Sequence, residues 1–193
     1  MKTIVITEEH RKFIDIYADK QTIGGYSNLD KKDLQKFSRN DYQKTGIFGE
    51  LAWYIHRYES YDKLKNLLDF KFETLRPKNI GDNGFDDSIT YNDQVRFIDI
   101  KSSFVENENK IQYLNLVVPM REFHRNMIYI AAFTIGKDRR NIDKVILSGW
   151  CFNEDIKDRW KYDDKKFCVS VKNLKPIEGL NRYFNVRQDS QPL

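Results

Sequence analysis

Residues 81–103 read GDNGFDDSITYNDQVRFIDIKSS, and this stretch decides the fold that we predict. A glycine-punctuated loop leads into two adjacent carboxylates, Asp86 and Asp87. A short strand and a tight turn are expected next, and the β-branched and aromatic residues of 94–101 predict a second strand. The stretch therefore predicts a hairpin whose second strand ends in charged side chains.

The charges at the end of that strand are the first sign of a site. Side chains alternate between the two faces of a strand, so Asp99 and Lys101 should share one face while Ile98 and Ile100 take the other. Burying charges in an apolar strand is costly unless they are paired or hold a metal. A surface hairpin with an exposed Asp99–Lys101 ion pair is the alternative interpretation, and such a pair contributes little stability.

Composition indicates one soluble domain. A chain of 193 residues with 40% hydrophobic residues can bury a core, and its mean hydropathy of −0.71 indicates solubility. No apolar run is long enough to span a membrane, and residues 1–6 are too short for a signal peptide. Cys151 and Cys168 lack metal-type spacing, so we expect free thiols in a reducing, cytoplasmic compartment.

Other site types have little support. The net charge of +4 only weakly favours a polyanionic partner. His10, His56 and His124 show no spacing with Cys or Asp that would predict a zinc site. Gly24-Gly25 is an isolated pair without a dinucleotide or phosphate-loop pattern, so nucleotide binding is not predicted.

The helix predicted from Thr45 to about Tyr61 supplies a further carboxylate. Its apolar stripe is continuous and comprises Ile47, Leu51, Tyr54, Ile55 and Tyr58. Glu50 lies roughly 40° outside the edge of that stripe, at the border of the buried face. His56 is expected on the opposite, exposed side.

The remaining pattern predicts an α/β fold with one mixed central β-sheet flanked by helices. Thr7 is a predicted N-cap for a helix that buries Phe13, Ile14 and Tyr17. The apolar run 127–135 should be a central strand covered on both faces. Further strands are predicted at residues 1–6, 68–75, 88–91, 111–118, 144–152 and 167–171, with a short helix at 153–160.

These carboxylates suit hydrolysis of phosphodiesters. Mg²⁺ binds through one or two carboxylates together with water and substrate phosphate. Asp86 and Asp99 would hold the metal, Ile100 would lend its backbone carbonyl, and Glu50 would complete the acidic pocket. Lys101 would orient or deprotonate the attacking water, or stabilise the developing charge, and the sequence leaves these roles open. Mn²⁺ is expected to substitute for Mg²⁺.

The residues that carry this chemistry resemble the PD-(D/E)xK, or restriction-endonuclease-like, nuclease superfamily, in its small phage and bacterial type. The resemblance covers roughly residues 45–152, most of the domain. Its matching parts are Gly46-Ile-Phe-Gly-Glu50, Gly81-Asp-Asn-Gly-Phe-Asp86-Asp87, Phe97-Ile-Asp99-Ile-Lys101-Ser-Ser103, Tyr113-Leu-Asn-Leu-Val-Val-Pro119 and the later Ser148-Gly-Trp150. The resemblance implies a restriction-endonuclease-like fold, Mg²⁺ dependence and cleavage of DNA. It gives the catalytic roles to Glu50, Asp86, Asp99 and Lys101.

The chain is predicted to form a single domain over residues 1–193, with the matching residues as its core. Residues 1–44 are expected to be an N-terminal helical extension, 45–152 the catalytic core, and 153–193 a C-terminal helix and strand. Phe85 stands where the family pattern has proline, and Asp86 is preferred over Asp87 because it directly follows Gly and a hydrophobic residue.

The activity stays open between three possibilities. The alternatives to a deoxyribonuclease are a ribonuclease and a non-catalytic DNA-binding or assembly protein with the same fold. A homodimer is expected if both DNA strands are cut. No membrane partner is expected.

Overall fold

The protein is described here from a computed structural model that covers residues 1–23, 38–66, 85–91, 94–156, 161–163 and 166–180. The chain folds as a mixed α/β structure with two sheets. The strands are β1 (Lys2–Val5), β2 (Asp87–Tyr91), β3 (Gln94–Val105), β4 (Asn115–Pro119), β5 (Met127–Asp138), β6 (Asn141–Phe152), β7 (Lys161–Asp163) and β8 (Lys166–Ser170). The helices are α1 (Glu8–Ile23), α2 (Arg39–Tyr58), α3 (Asn153–Ile156) and α4 (Ile177–Leu180).

The larger sheet has five strands in the order β1-β6-β5-β3-β2. Strands β3 and β5 are parallel, with Asp99 opposite Tyr129 and Lys101 opposite Ala131, and the other pairs are antiparallel. The mixed central sheet is therefore confirmed. Strand β5 lies in the middle, and residues 127–135 are all buried, which confirms the predicted central strand.

Each face of this sheet carries its own hydrophobic core. Helices α1 and α2 cover one face, where Leu51, Trp53, Ile98 and Ile100 belong to one buried cluster. The second sheet, in the order β4-β8-β7, covers the other face and packs there against side chains of β5 and β6. Strand β3 thus lies between two apolar layers. Because side chains alternate along a strand, successive residues of β3 face one layer and then the other.

The second sheet corrects part of the prediction. The strand expected at residues 111–118 begins only at Asn115, and it pairs with β8 instead of joining the central sheet. Before it, Glu108–Tyr113 forms a 3₁₀ helix. The Asn107 side chain starts this turn by accepting a hydrogen bond from the Asn109 amide at 2.9 Å. Such local capping competes with strand formation.

Helix α2 is longer at its N-terminus than predicted. It begins at Arg39 instead of Thr45, because Ser38 and Asp41 form a reciprocal capping box with hydrogen bonds of 3.2 and 2.9 Å. The helix ends at Tyr58, before Glu59 in a left-handed conformation with φ 56°. The predicted apolar stripe is buried or half-buried, as expected.

The N-terminal segment is integrated into this core. Strand β1, which lies within the predicted N-terminal extension, pairs with β6 at the edge of the larger sheet. Thr7 caps α1 by accepting a hydrogen bond from the His10 amide at 3.3 Å, which confirms the predicted cap. His56 is half-buried and not exposed as expected, and this burial lowers its pKa below the ordinary value.

Two predicted elements lie partly or wholly outside the described residues. The strand predicted at 68–75 and the end of the helix predicted at 153–160 lie outside the described residues. Both cysteines are buried and free, as predicted. Among the helices that the structure describes, none is both long enough and apolar enough to cross a membrane.

Candidate functional site

Strand β3 presents Asp99 and Lys101 on the face that is turned away from α2. Phe97 packs with the second core cluster, whereas Ile98 and Ile100 pack with α2 in the first, so the predicted alternation is confirmed. Lys101 Nζ lies 2.6 Å from Asp99 Oδ2. Asp99 is only 6% exposed, so this ion pair is not the exposed surface pair that was the alternative interpretation.

Asp86 lies alongside β3, one residue before β2 begins. Its amide donates to the carbonyl of Ile98 at 2.7 Å, and its carboxylate Oδ2 accepts from the amide of Ile100 at 2.7 Å. The side chain of Asp86 therefore binds the β3 amide just beyond the β2 pairing. The carboxylate of Asp86 thus lies at the β3 residue that follows Asp99, and its charge raises the pKa of Asp99.

Asp87 points into a different environment. Its Oδ2 accepts hydrogen bonds from Trp53 Nε1 at 2.8 Å and from Tyr58 OH at 3.3 Å, and it pairs with Arg57 Nη1. All three partners belong to α2, so Asp87 fastens β2 to that helix. This geometry separates the two adjacent aspartates into one beside Asp99 and one against α2.

Glu50 lies on α2, the helix that covers the face of β3 opposite to Asp99 and Lys101. It is half-buried and lies one helical turn before Tyr54, whose hydroxyl donates to the carbonyl of Asp86 at 2.8 Å. Burial raises the pKa of Tyr54, and the charges of Asp87, Glu50 and Asp86 add to that rise. The charge of Glu50 therefore acts on Tyr54, whereas the pKa of Asp99 responds to the charges of Lys101, Asp86 and Glu122. Within the part of the chain that the structure describes, no three His, Cys, Asp or Glu side chains are arranged to hold a metal.

The electrostatics of the pair depend on its burial. Burial raises the pKa of Asp99 to about 7, helped by Asp86 and Glu122 and opposed by the ammonium of Lys101. Burial acts to lower the pKa of Lys101, but the carboxylates of Asp99 and Glu122 outweigh it and raise that pKa above its ordinary value. Lys101 therefore stays protonated, and burial opposes the charged form of Asp99.

A divalent cation fits this arrangement in one respect. Asp99 Oδ2 is buried, and the ammonium of Lys101 lies 2.6 Å from it. A buried carboxylate is costly unless a cation pairs with it, and hard carboxylate oxygens of this type also suit Mg²⁺. Asp86, Asp99 and water would make a site of the kind that Mg²⁺ uses. The ligand role predicted for the carbonyl of Ile100 stays a prediction.

Sequence reasoning missed two residues here. Glu122 Oε2 lies 2.7 Å from Lys101 Nζ, and Tyr129 OH donates to the carbonyl of Glu122 at 2.9 Å. Glu122 sits in the 3₁₀ turn Met120–Glu122 after β4, and no motif marks it. Tyr129 is opposite Asp99 on β5, so the register of parallel strands was the signal that could have found it.

A cavity of about 160 Å³ opens beside Lys101. Its walls are formed by β3, β4, β5 and the turn that carries Glu122, and its polar lining comprises Lys101, Ser102, Ser103, Asn115 and Glu122. The cavity gives solvent and small groups a route to the Lys101 side of the pair.

Comparison with known proteins identifies no relative: no family model, curated protein or solved structure matches the chain. The resemblance to the PD-(D/E)xK superfamily therefore stays a prediction, carried by the residues of the motif.

Proposed function

We propose that this protein is a Mg²⁺-dependent deoxyribonuclease of the PD-(D/E)xK type, with Asp86, Asp99 and Lys101 at its active centre and Glu50 beside it. The observation that carries the proposal is that Asp86 lies beside Asp99 in the middle of β3, next to a protonated lysine; the strand runs on to Val105 and does not end at these charges as predicted. Ordinary packing does not favour two carboxylates at such a place, because each raises the cost of ionising the other.

The bound Mg²⁺ would polarise the scissile phosphate and lower the pKa of an attacking water. Asp86 and Asp99 would hold it through their carboxylates. The protonated state of Lys101 favours two of its three predicted roles, orienting the water and stabilising negative charge on the phosphate, over removal of a proton. Tyr54, by holding the carbonyl of Asp86, keeps that carboxylate in register with β3.

The choice of DNA as substrate comes from the motif resemblance, with weak support from the net charge of +4. RNA is the alternative substrate, and a non-catalytic DNA-binding protein is the alternative function. The deoxyribonuclease, the ribonuclease and the non-catalytic protein would use the same site residues. They differ in whether the site cleaves a nucleic acid and in which nucleic acid it cleaves.

Purified protein incubated with supercoiled plasmid, single-stranded DNA and RNA in Mg²⁺ tests the proposal. We expect DNA cleavage that a chelator stops and that Lys101→Ala and Asp99→Asn abolish. The matched control is Glu108→Gln, which removes a carboxylate that also pairs with a lysine, Lys144. Absence of cleavage, or cleavage that survives both active-site substitutions, would contradict the proposal, and cleavage of RNA alone would reassign the substrate.

A further inference from the structure

The ammonium of Lys101 has two carboxylate partners of unequal burial. Nζ lies 2.6 Å from Asp99 Oδ2 and 2.7 Å from Glu122 Oε2. The Asp99 side chain is 8% exposed, whereas that of Glu122 is 35% exposed and lines the cavity beside Lys101. Lys101 is therefore shared between an inner carboxylate and an outer one.

The outer carboxylate is attached to a fixed backbone. Tyr129 OH donates to the Glu122 carbonyl at 2.9 Å and accepts from the His124 amide at 3.1 Å. The ring of Phe123 stacks near that of Tyr129, with centroids 6.2 Å apart. Because Tyr129 belongs to the buried central strand β5, the turn that carries Glu122 is held against the sheet next to Lys101.

We infer that Glu122 is a positioning residue that receives Lys101 when a divalent cation binds at Asp99. This inference rests on the proposed function, since it takes Asp99 as a cation ligand. A divalent cation and an ammonium repel each other at one carboxylate, and a buried ammonium without a counterion is costly. Glu122 supplies that counterion within the present reach of Nζ, so Lys101 can leave Asp99 while staying charged and close to the cation.

The inference separates Glu122 from a direct metal ligand. If Glu122 acts through Lys101, its charge should matter for cation binding mainly while Lys101 is present. Were Glu122 a ligand, its removal would weaken cation binding equally with or without Lys101. A double-mutant cycle distinguishes these two roles.

The test is Mn²⁺ binding measured by titration calorimetry on the full chain, with four proteins: wild type, Glu122→Gln, Lys101→Met and the double variant. We expect Glu122→Gln to weaken binding about tenfold, the scale of residues that orient metal ligands. Lys101→Met should tighten binding, because it removes the competing ammonium, and Glu122→Gln should then have a clearly smaller effect. Thermal unfolding verifies that each variant is folded, and Lys101→Gln replaces Lys101→Met if that variant is not.

Glu108→Gln is the matched control, since Glu108 pairs with Lys144 on β6. In the sheet, Lys144 of β6 lies opposite Ile135 of β5, and Ile135 lies opposite Val105 of β3. Val105 is four residues, or about 13 Å, along β3 from Lys101. The control should leave Mn²⁺ affinity unchanged.

The outcomes separate this inference from the proposed function. Mn²⁺ binding by wild type that is unchanged in Glu122→Gln, or weakened equally in both backgrounds, overturns the positioning role alone. Absence of Mn²⁺ binding by wild type overturns both. Binding without DNA cleavage would leave the positioning role standing and would contradict the nuclease.

Discussion

Replacing Asp87 with asparagine should destabilise the protein strongly, whereas the same change at Asp86 should hardly alter its stability. Asp87 Oδ2 binds Trp53 Nε1 and Tyr58 OH and pairs with Arg57. The carboxylate of Asp86 accepts a hydrogen bond from the backbone amide of Ile100, which an asparagine oxygen can also accept. The two adjacent aspartates therefore have opposite expected effects on folding and on cation binding.

The size of the effect follows from burial. The side chains of Arg57 and Asp87 are 16% and 11% exposed, so Asp87→Asn removes a negative charge that faces a largely desolvated guanidinium. Breaking a buried pair in this way costs about 3 kcal/mol. For a chain of this length, that loss lowers the unfolding temperature by roughly 6–12 °C. Asp86→Asn keeps its hydrogen bond and relieves repulsion with Asp99, so the change should stay within about 0.5 kcal/mol.

Urea unfolding of both variants, followed by Mn²⁺ titration of the folded proteins, makes the comparison. We expect Asp87→Asn to lose stability and to keep cation affinity when folded, and Asp86→Asn to keep stability and to lose cation affinity. The assignment would be refuted if Asp86→Asn bound Mn²⁺ normally while folded Asp87→Asn did not.

Three further changes test the geometry of the site. Burial puts the pKa of Asp99 at about 7, above the ordinary 3.8, so its carboxyl favours folding below pH 3.8 and that contribution is lost as pH rises through 7. In the presence of a chelator, the unfolding temperature of Asp99→Asn should therefore fall less than that of wild type as the pH rises from 5 to 8. A Cβ added at Gly49 would lie 1.9 Å from Ser102 Oγ, so Gly49→Ala should cost about 1–3 kcal/mol in urea unfolding, and Ser102→Ala should recover part of it. Tyr54→Phe removes the hydrogen bond to the Asp86 carbonyl, and it should cost about 1 kcal/mol while lowering the cleavage rate.

The parts of the fold that follow from local pattern were predictable from the sequence. The buried run 127–135 and the alternation around Asp99 depend on hydrophobic periodicity, and both are confirmed. The start of α2 was also readable, because Ser38 followed three residues later by Asp41 is a capping signature. The prediction of a helix from Thr45 did not use this signal.

What the sequence did not predict depends on long-range contacts. Glu122 meets Lys101 across 21 residues because β4 leaves the central sheet and joins β8. The choice between Asp86 and Asp87 depends on which side chains of α2 face the start of β2, namely those of Trp53 and Arg57. The motif favoured Asp86 over Asp87, but no periodic or motif signal indicated the contact of Asp87 with α2 or that of Glu122 with Lys101.

The central claim is that Asp86 and Asp99 together hold a divalent cation. A crystal of the protein soaked in Mn²⁺, with anomalous diffraction measured, tests this claim most directly. We expect an anomalous peak between the carboxylates of Asp86 and Asp99, with Lys101 Nζ moved from Asp99 toward Glu122. A peak at Asp87, or no peak at a Mn²⁺ concentration that supports cleavage, would contradict it.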